Sequence, residues 1–172
     1  MTNAFDPLKY KNQKLTIKST WQGATIADVY VLNLKTNVDG RGDLTEIWTL
    51  NWEDSKILPI EHAYYNLTDA GVTKGWHWHT HTFSQYVCLA GKMQIVLIDL
   101  REDSPTFCEV NQFVPSSKNP QFIKIPPFVL KGWKALEANS VIINLLSSKD
   151  TKDNFKVPME NFLPDIWQPR NE

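Results

Sequence analysis

The sequence predicts an all-β fold, a sandwich or barrel built from short strands. Most apolar segments are short and place β-branched and aromatic residues at two-residue spacing, the period of a strand. Ten prolines and turn sequences such as Asn-Val-Asp-Gly-Arg-Gly interrupt these segments at short intervals. Helical periodicity is weak, and only single helical turns are expected, at Trp52–Ile57 and Met159–Phe162.

Nine strands are expected in order along the chain, each bounded by turn residues. The first five are Lys14–Ser19, Ala27–Leu34, Leu44–Leu50, His62–Leu67 and Trp76–His81, with Asp-Gly-Arg-Gly and Asp-Ala-Gly among the turns between them. The sixth and seventh, Gln85–Leu89 and Met93–Leu100, form the clearest hairpin because they flank Ala-Gly-Lys. The last two are Gln121–Ile125 and Ser140–Leu146, with Ser-Ser-Lys-Asn-Pro before the first of them and Pro-Pro after it.

Composition sets the class of protein. A chain of 172 residues with 42% apolar and 22% charged residues is typical of one globular domain. A net charge of −1 argues against a general nucleic-acid binder or a polybasic membrane protein. No apolar run approaches the ~18 residues that a membrane span needs, and the N-terminus lacks a signal-peptide core, so a cytoplasmic protein is expected. Cys88 and Cys108 lack the spacing of a metal or disulfide framework.

The histidines are concentrated in one strand. Three of the four lie in Gly-Trp-His-Trp-His-Thr-His, residues 75–81. In a strand, alternation places His77, His79 and His81 on one face and Trp76 and Trp78 on the other. Imidazoles on an apolar core face would each need a buried hydrogen-bond partner, so a polar cavity is the more economical explanation, with the indoles packed outward.

Three interpretations of this histidine cluster stay open at this point: a catalytic or substrate-binding site, a metal site, and a hydrogen-bonded structural cluster. A metal site of the cupin type would use His77, His79, His81 and Gln85. Gln85 lies roughly where such a site has a glutamate, and no histidine follows His81 in the chain. Three histidines and a glutamine are a poor ligand set for a tightly bound metal.

Several motifs resemble those of the dTDP-4-dehydrorhamnose 3,5-epimerases, the RmlC-type cupins. Asp39-Gly-Arg41-Gly-Asp-Leu-Thr-Glu46 is similar to D-x-R-G-x-x-x-E, and Tyr65-Asn66 followed by Gly71-Val-Thr-Lys-Gly-Trp-His77 is similar to N-x-S…G-V-x-R-G-L-H. Asp99-Leu-Arg-Glu-Asp-Ser-Pro-Thr-Phe107 resembles D-x-R-x-x-S-P-T-F, and Ile125-Pro-Pro-Phe-Val-Leu-Lys-Gly-Trp133 resembles I-P-x-G-F-x-H-G-F. Lys74-Gly-Trp-His-Trp-His and Val87-Cys-Leu-Ala-Gly91 also resemble the sugar 3,4-ketoisomerases.

The resemblance implies a single cupin domain, a jelly-roll barrel with an N-terminal arm at about residues 1–25, the barrel at about 26–150 and a tail at about 151–172. It implies an isomerase of nucleotide-linked 4-keto-6-deoxy sugars in surface polysaccharide synthesis, working without a cofactor and usually as a homodimer. It makes His77 the base that removes the proton beside the ketone. From the residues themselves, we expect His79 to act as a partner of this base and Lys74 to stabilise charge. The residues expected to contact substrate are Arg41, Glu46, Asn66, His81, Gln85 and Lys131.

The C-terminal region contains the candidates for one further group of the site. In the family, an aspartate near the C-terminus orients the base histidine, and Asp165 and Glu160 are the candidates for it here. The segment Lys149–Lys156 is expected to be a solvated loop.

Two residues that the family uses are replaced. The family's acid is a tyrosine in the strand corresponding to Ser140–Leu146, and this chain has no tyrosine after Tyr86. The histidine of H-G-F is Lys131. Because inversion at carbon needs reprotonation from the opposite face, a double epimerase would need a substitute acid such as Tyr64, Tyr65, Tyr86 or water. A ketoisomerase or single-site epimerase could work with His77 and His79 alone, so we expect such a relative of the 3,5-epimerase. A non-catalytic cupin that binds a sugar nucleotide, and the metal-dependent cupin, are the alternatives.

Overall fold

The computed structural model describes residues 5–20, 23–52 and 56–168. The described chain contains thirteen strands. They are β1 (Thr16–Ile17), β2 (Tyr30–Asn33), β3 (Thr36–Asp39), β4 (Gly42–Thr45), β5 (His62–Thr68), β6 (Thr73–Trp78), β7 (Ser84–Ala90), β8 (Met93–Asp99), β9 (Glu109–Phe113), β10 (Gln121–Ile125), β11 (Val129–Ala135), β12 (Ser140–Leu146) and β13 (Phe155–Lys156). The helical elements of the described chain are three 3₁₀ turns, Pro7–Tyr10, Met159–Asn161 and Pro164–Trp167. The expected all-β class is therefore confirmed, whereas the turn expected at Trp52–Ile57 lies partly outside the described residues.

The strands form two sheets that pack face to face, as in a cupin sandwich. Sheet A has the order β1-β9-β8-β11-β6-β13, and sheet B has the order β2-β10-β7-β12-β5. A separate two-stranded sheet pairs β3 with β4. The N-terminal arm and the C-terminal tail both contribute to sheet A, since β1 pairs with β9 and β13 pairs with β6.

Three strands of sheet A were missed by the sequence patterns: β9, β11 and the two-residue β13. Of these, β9 and β11 each carry a buried polar residue that breaks the apolar alternation, Asn111 in β9 and Lys131 in β11. The Asn111 side chain is satisfied because its Oδ1 accepts the backbone N–H of Thr25 (2.9 Å) and of Ile26 (3.1 Å). Tertiary hydrogen bonds thus make a polar strand tolerable in the interior.

The main core lies between the sheets and contains Met93, Ile95, Leu97, Ile123, Ile125 and Ile142. A second apolar cluster covers the outer face of sheet A. There Trp76 and Trp78 pack with Phe162 and Trp167 of the C-terminal tail, so the two indoles point away from the inter-sheet space, as the alternation predicted. Because the tail covers the tryptophans, the opposite face of β6 is left to line the interior.

The motif Asp99–Phe107 is structural. Asp99 is fully buried. Its Oδ1 accepts a hydrogen bond from Arg101 Nε (2.8 Å), and its Oδ2 accepts from the hydroxyls of Ser104 (2.6 Å) and Thr106 (2.7 Å). Burial alone would raise the pKa of Asp99, but these hydrogen bonds hold it below its usual range. Arg101 also binds Asp28 (2.9 Å), so the motif attaches the loop after β8 to the segment before β2.

Two further findings concern the described part of the chain as a whole. Cys88 and Cys108 are both free. None of the helical elements described is long and apolar enough to cross a membrane.

Candidate active site

A cavity of about 450 Å³ lies between the two sheets. Its two walls differ chemically. The wall from sheet A and the residues next to it carries imidazoles and amines, and the wall from sheet B carries phenols and an amide. The lining residues are Lys74, Gly75, His77, His79, Lys131, Trp133, Asn154 and Lys156 on the first wall, and Tyr64, Asn66 and Tyr86 on the second. Its size is ordinary for a small-molecule site.

A bulge in β6 brings Lys74 and His77 to the same face. In a regular strand, residues three positions apart point in opposite directions, so Lys74 and His77 would lie on opposite faces of β6. In the structure β11 pairs Lys131 with His77 but Trp133 with Lys74, so two residues of β6 lie opposite Gly132 alone. The bulge therefore restores the alignment of the two side chains. It also requires glycine at position 132, where a Cβ would lie 3.0 Å from the Gly75 Cα and 3.2 Å from the Lys74 carbonyl oxygen.

His77 is a neutral imidazole at pH 7. Burial, together with the nearby charges of Lys131, Lys156 and Lys74, lowers its pKa to about 4, and a weak hydrogen bond from its Nδ1 to Asn154 Oδ1 (3.4 Å) opposes part of this shift. Its ring stacks on the Trp133 indole with 6.1 Å between centroids. A neutral ring held in place by a stack and a hydrogen bond is free to accept a proton.

His79 is held by the tail of the chain. Its Nδ1 contacts the backbone carbonyl of Asp153, and burial, followed by the charge of Lys131, lowers its pKa to about 4. The expected carboxylates of the C-terminal region play no such part: Asp165 and Glu160 are exposed. The segment 149–156, expected to be a solvated loop, instead supplies Asp153, Asn154 and Lys156 to the site.

His81 lies outside the cavity, contrary to the expected alternation. Strand β6 ends at Trp78, and the following residues wrap around the Asp153 carboxylate. That carboxylate accepts five hydrogen bonds: from the backbone N–H of Thr80, His81 and Thr82, and from the hydroxyls of Thr80 and Thr82. The His81 side chain is left half-exposed, with its ring nitrogens 3.5 Å from Asp150 and 3.3 Å from Asp153.

We predict that Asp153→Asn destabilises the fold by about 2–4 kcal/mol, because an amide nitrogen would face buried donors. Burial alone would raise the Asp153 pKa, but the hydrogen bonds from Thr82, Thr80 and His81 hold it far below its usual range. The wild-type protein therefore keeps this stabilisation above the usual aspartate pKa and loses it as the pH falls toward the lowered value, whereas the variant lacks it throughout. Thermal unfolding at pH 7 checks this prediction. The control is Asp150→Asn at an exposed site, and equal stability of the two variants would contradict it.

Lys131 is the most unusual side chain of the site. Its residue is 1% exposed, and its Nζ has no hydrogen-bond partner among the described residues. Burial lowers its pKa to about 7, partly offset by attraction to Asp153. A buried amine without a partner is costly for folding, which points to a ligand that supplies the missing acceptor.

Three other expected site residues do not line this cavity. Gln85 is buried on the opposite face of β7 from Tyr86, where its amide binds the backbone of Leu58 (Oε1 to N, 3.2 Å). Arg41 and Glu46 lie at the β3–β4 hairpin. Arg41 is exposed and pairs with Asp39 (2.6 Å), and Glu46 accepts a hydrogen bond from Trp52 Nε1 (2.7 Å).

The four residues of the alternative metal site do not come together in the structure. Gln85 and His81 point away from His77 and His79, so the four side chains do not converge. Within the described ranges, no group of three histidine, cysteine, aspartate or glutamate side chains could hold a metal ion.

A row of three polar side chains crosses sheet B, formed by Tyr64, Asn144 and Tyr86. The sequence patterns did not predict that these residues are neighbours. Strand β12 pairs Asn144 with Tyr64 of β5 on one side and with Tyr86 of β7 on the other. Asn144 Nδ2 donates to Tyr64 Oη at 2.9 Å. Tyr86 is fully buried, which raises its pKa well above the usual value. Only cross-strand register brings these residues together, so no local sequence signal could have found the row.

Together, the two packed sheets and the cavity define the class: a cupin-type sandwich with acid–base side chains between its sheets. A sequence profile described as dTDP-4-dehydrorhamnose 3,5-epimerase matches residues 23–160. The chain therefore belongs to the dTDP-4-dehydrorhamnose 3,5-epimerase family, as the sequence motifs indicated.

One relative supports this assignment by sequence, and two solved structures share the fold. The probable low-salt glycan biosynthesis epimerase Agl13 of Haloferax volcanii is 36% identical over 140 residues, covering 78% of this chain and 89% of the relative. The solved dTDP sugar isomerase from Desulfovibrio desulfuricans superposes with a TM-score of 0.77 at 19% identity, covering 85% of this chain and 94% of that one. ChmJ, a 3′-monoepimerase from Streptomyces bikiniensis in complex with dTDP-quinovose, gives 0.75 at 17% identity, covering 87% and 81%.

Proposed function

We propose that this protein is an epimerase of a nucleotide-linked 4-keto-6-deoxy sugar that acts in the synthesis of a surface polysaccharide or glycan. The observation that carries the proposal is the cavity in which the uncharged His77 lies on the same wall as Lys131, a buried amine without a hydrogen-bond partner in the described part of the chain. The glycan role is supported by the name of the Haloferax relative, and the nucleotide sugar by the dTDP-quinovose of the ChmJ complex.

The chemistry begins at a carbon next to the ketone. The imidazole of His77 takes the proton from that carbon, the C–H electron pair becomes the C=C bond, and the carbonyl electrons move onto oxygen as an enolate. Lys131 and Lys74 stabilise the enolate oxygen, because an ammonium group in a water-poor cavity interacts strongly with developing negative charge. Lys74 is positioned by Asn66, whose Oδ1 accepts from its Nζ at 3.1 Å.

The three lysines of the cavity also connect substrate binding to the basicity of His77. Burial is the main cause of the low His77 pKa in the free protein, and the charges of Lys131, Lys156 and Lys74 add to it. An anionic sugar nucleotide beside these lysines offsets part of their charge and so raises the His77 pKa, which makes the imidazole a stronger base.

The test is proton NMR of dTDP-4-keto-6-deoxyglucose in D₂O with the purified protein. We expect loss of the signal of a proton next to the ketone, at C3 or C5, and the position of the loss identifies the carbon attacked. Binding detected by saturation transfer without any exchange would instead support a non-catalytic sugar-nucleotide-binding cupin.

We further propose that the protein is a cytoplasmic homodimer in which the β3–β4 hairpin reaches the partner subunit's cavity. The hairpin pairs with neither main sheet, and its Val38 and Leu44 are 72% and 65% exposed, which is unfavourable for an isolated chain. Arg41 extends from its tip with a side chain that is 90% exposed. A site shared between subunits would give both Arg41 and Glu46 the substrate contacts that the family motif implies.

Mixed dimers test this arrangement. Arg41→Ala and His77→Asn proteins are each expected to be weakly active, while unfolding and refolding them together restores activity to roughly a quarter of the wild-type value, because half of the randomly formed dimers are mixed and each carries one intact site. No gain on mixing, or a monomer by sedimentation, would contradict the proposal.

A further inference from the structure

We propose that Tyr64 is the general acid of this site and that Asn144 positions it. This inference rests on the proposed epimerase function and names the residue that returns a proton to the carbon. It assigns that role to a phenol on β5, whereas the family motif has a tyrosine on the strand corresponding to β12.

The first argument is the placement of the groups across the cavity. His77 belongs to sheet A and Tyr64 to sheet B, and both line the same inter-sheet space. A planar enolate bound between the sheets therefore has the imidazole on one face and the phenol on the other. Removal of a proton on the His77 side and delivery from the Tyr64 side inverts the carbon.

The second argument is the direction of the hydrogen bond at Tyr64. Asn144 Nδ2 is the donor and Tyr64 Oη the acceptor, at 2.9 Å. The hydroxyl proton of Tyr64 is therefore not used in this contact and is available to the cavity. The same amide stabilises the phenolate that remains once the proton has been delivered.

The third argument excludes the neighbouring phenols. Tyr65 follows Tyr64 in β5, so its side chain lies on the other face of the sheet and is 70% exposed. Tyr86 lines the cavity but is fully buried, and burial raises its pKa well above the usual value, which opposes loss of its proton. Tyr64 is 38% exposed, so water can reprotonate it after each turnover.

The proposed step balances. His77 holds the proton removed from carbon, Tyr64 Oη–H gives its proton to the opposite face of that carbon, and the enolate electrons return to form the C–H bond and the ketone. Water then reprotonates the phenolate, and the imidazolium gives its proton to water. No oxidant, reductant or metal is required.

The experiment compares two readouts on dTDP-4-keto-6-deoxyglucose in D₂O: exchange of the proton at the reacting carbon, and inversion of that carbon. We expect Tyr64→Phe to keep exchange, because His77 can remove the proton and return a deuteron to the same face, while inversion falls by about 10²–10⁴-fold. Tyr65→Phe is the matched control on the same strand and should retain both activities.

The outcomes separate the inference from the function on which it rests. Normal inversion in Tyr64→Phe would overturn the assignment while leaving the epimerase function intact. The same conclusion would follow if Tyr86→Phe lost inversion and Tyr64→Phe did not. Absence of exchange in the wild-type protein would overturn both.

Asn144→Leu is a second variant that leaves the phenol in place and tests the positioning role. It removes the hydrogen bond to Tyr64 Oη, so we expect slower inversion with unchanged exchange and unchanged KM. A variant that instead raised KM alone would show that Asn144 serves only to bind substrate, which overturns its positioning role.

Discussion

His77→Asn is expected to slow proton exchange at the sugar carbon, and with it epimerisation, by about 10²–10⁴-fold or more. Asparagine can occupy the volume of the imidazole and keep a polar contact with Asn154, but it cannot accept a proton at neutral pH. The fold should be unaffected, because burying the neutral imidazole contributes no ion pair to stability. The measurement is deuterium incorporation by NMR at matched protein concentration.

His81→Asn is the matched control for this experiment, since it changes the same residue type four positions away. His81 is exposed and lines no part of the cavity, so the activity of the His81→Asn protein should stay within about twofold of the wild-type value. Full exchange activity in His77→Asn would show that another group removes the proton, and His79 would be the first candidate.

Lys131→Met should lose about 10²–10³-fold in rate, the usual effect of removing one group that stabilises an oxyanion. The same variant should unfold at a higher temperature than the wild-type protein at pH 6, because it replaces a buried ammonium that lacks a partner among the described residues with an apolar side chain. A purely structural lysine would not give this combination of lost activity and gained stability.

The pH dependence of kcat/KM provides an independent test of the role of Lys131. The pKa of His77 is lowered to about 4 and that of Lys131 to about 7. Activity should therefore rise as His77 loses its proton near pH 4 and fall as Lys131 loses its own near pH 7, which gives a bell-shaped profile for the free enzyme. Lys92→Met, at an exposed turn, should leave the profile unchanged. A wild-type rate that stays constant from pH 6 to 9 would contradict a role for the Lys131 ammonium.

Several features of the fold could be predicted from the sequence because they depend on local patterns. Alternating β-branched residues and regular turn signals gave the all-β class, and the Trp-His alternation put Trp76 and Trp78 on the opposite face from His77. Polar residues in buried strands were harder to interpret. Strand β11 was missed because Lys131 and Gly132 resemble a turn, and a buried lysine is rare enough that no pattern anticipates it.

Other expectations were wrong for reasons that lie outside the local sequence. His81 was expected beside His77, but β6 ends at Trp78. The backbone N–H groups of residues 80–82 donate hydrogen bonds to the Asp153 carboxylate instead of continuing the strand. Gln85 was expected in the site, but side chains alternate along β7. Tyr86 therefore lines the cavity, and Gln85 lies on the opposite face, against the backbone of Leu58.

The sequence by itself determined the fold class and the family and predicted His77 as the base, because strand period, turn chemistry and motif spacing are properties of neighbouring residues. The tertiary structure decided which charges and phenols surround that histidine. A bulge opposite Gly132 aligned Lys74 with His77, and cross-strand register placed Asn144 against Tyr64. Register and bulges arise from pairing between segments far apart in the chain, so the composition of the cavity becomes visible only when the two sheets are packed together.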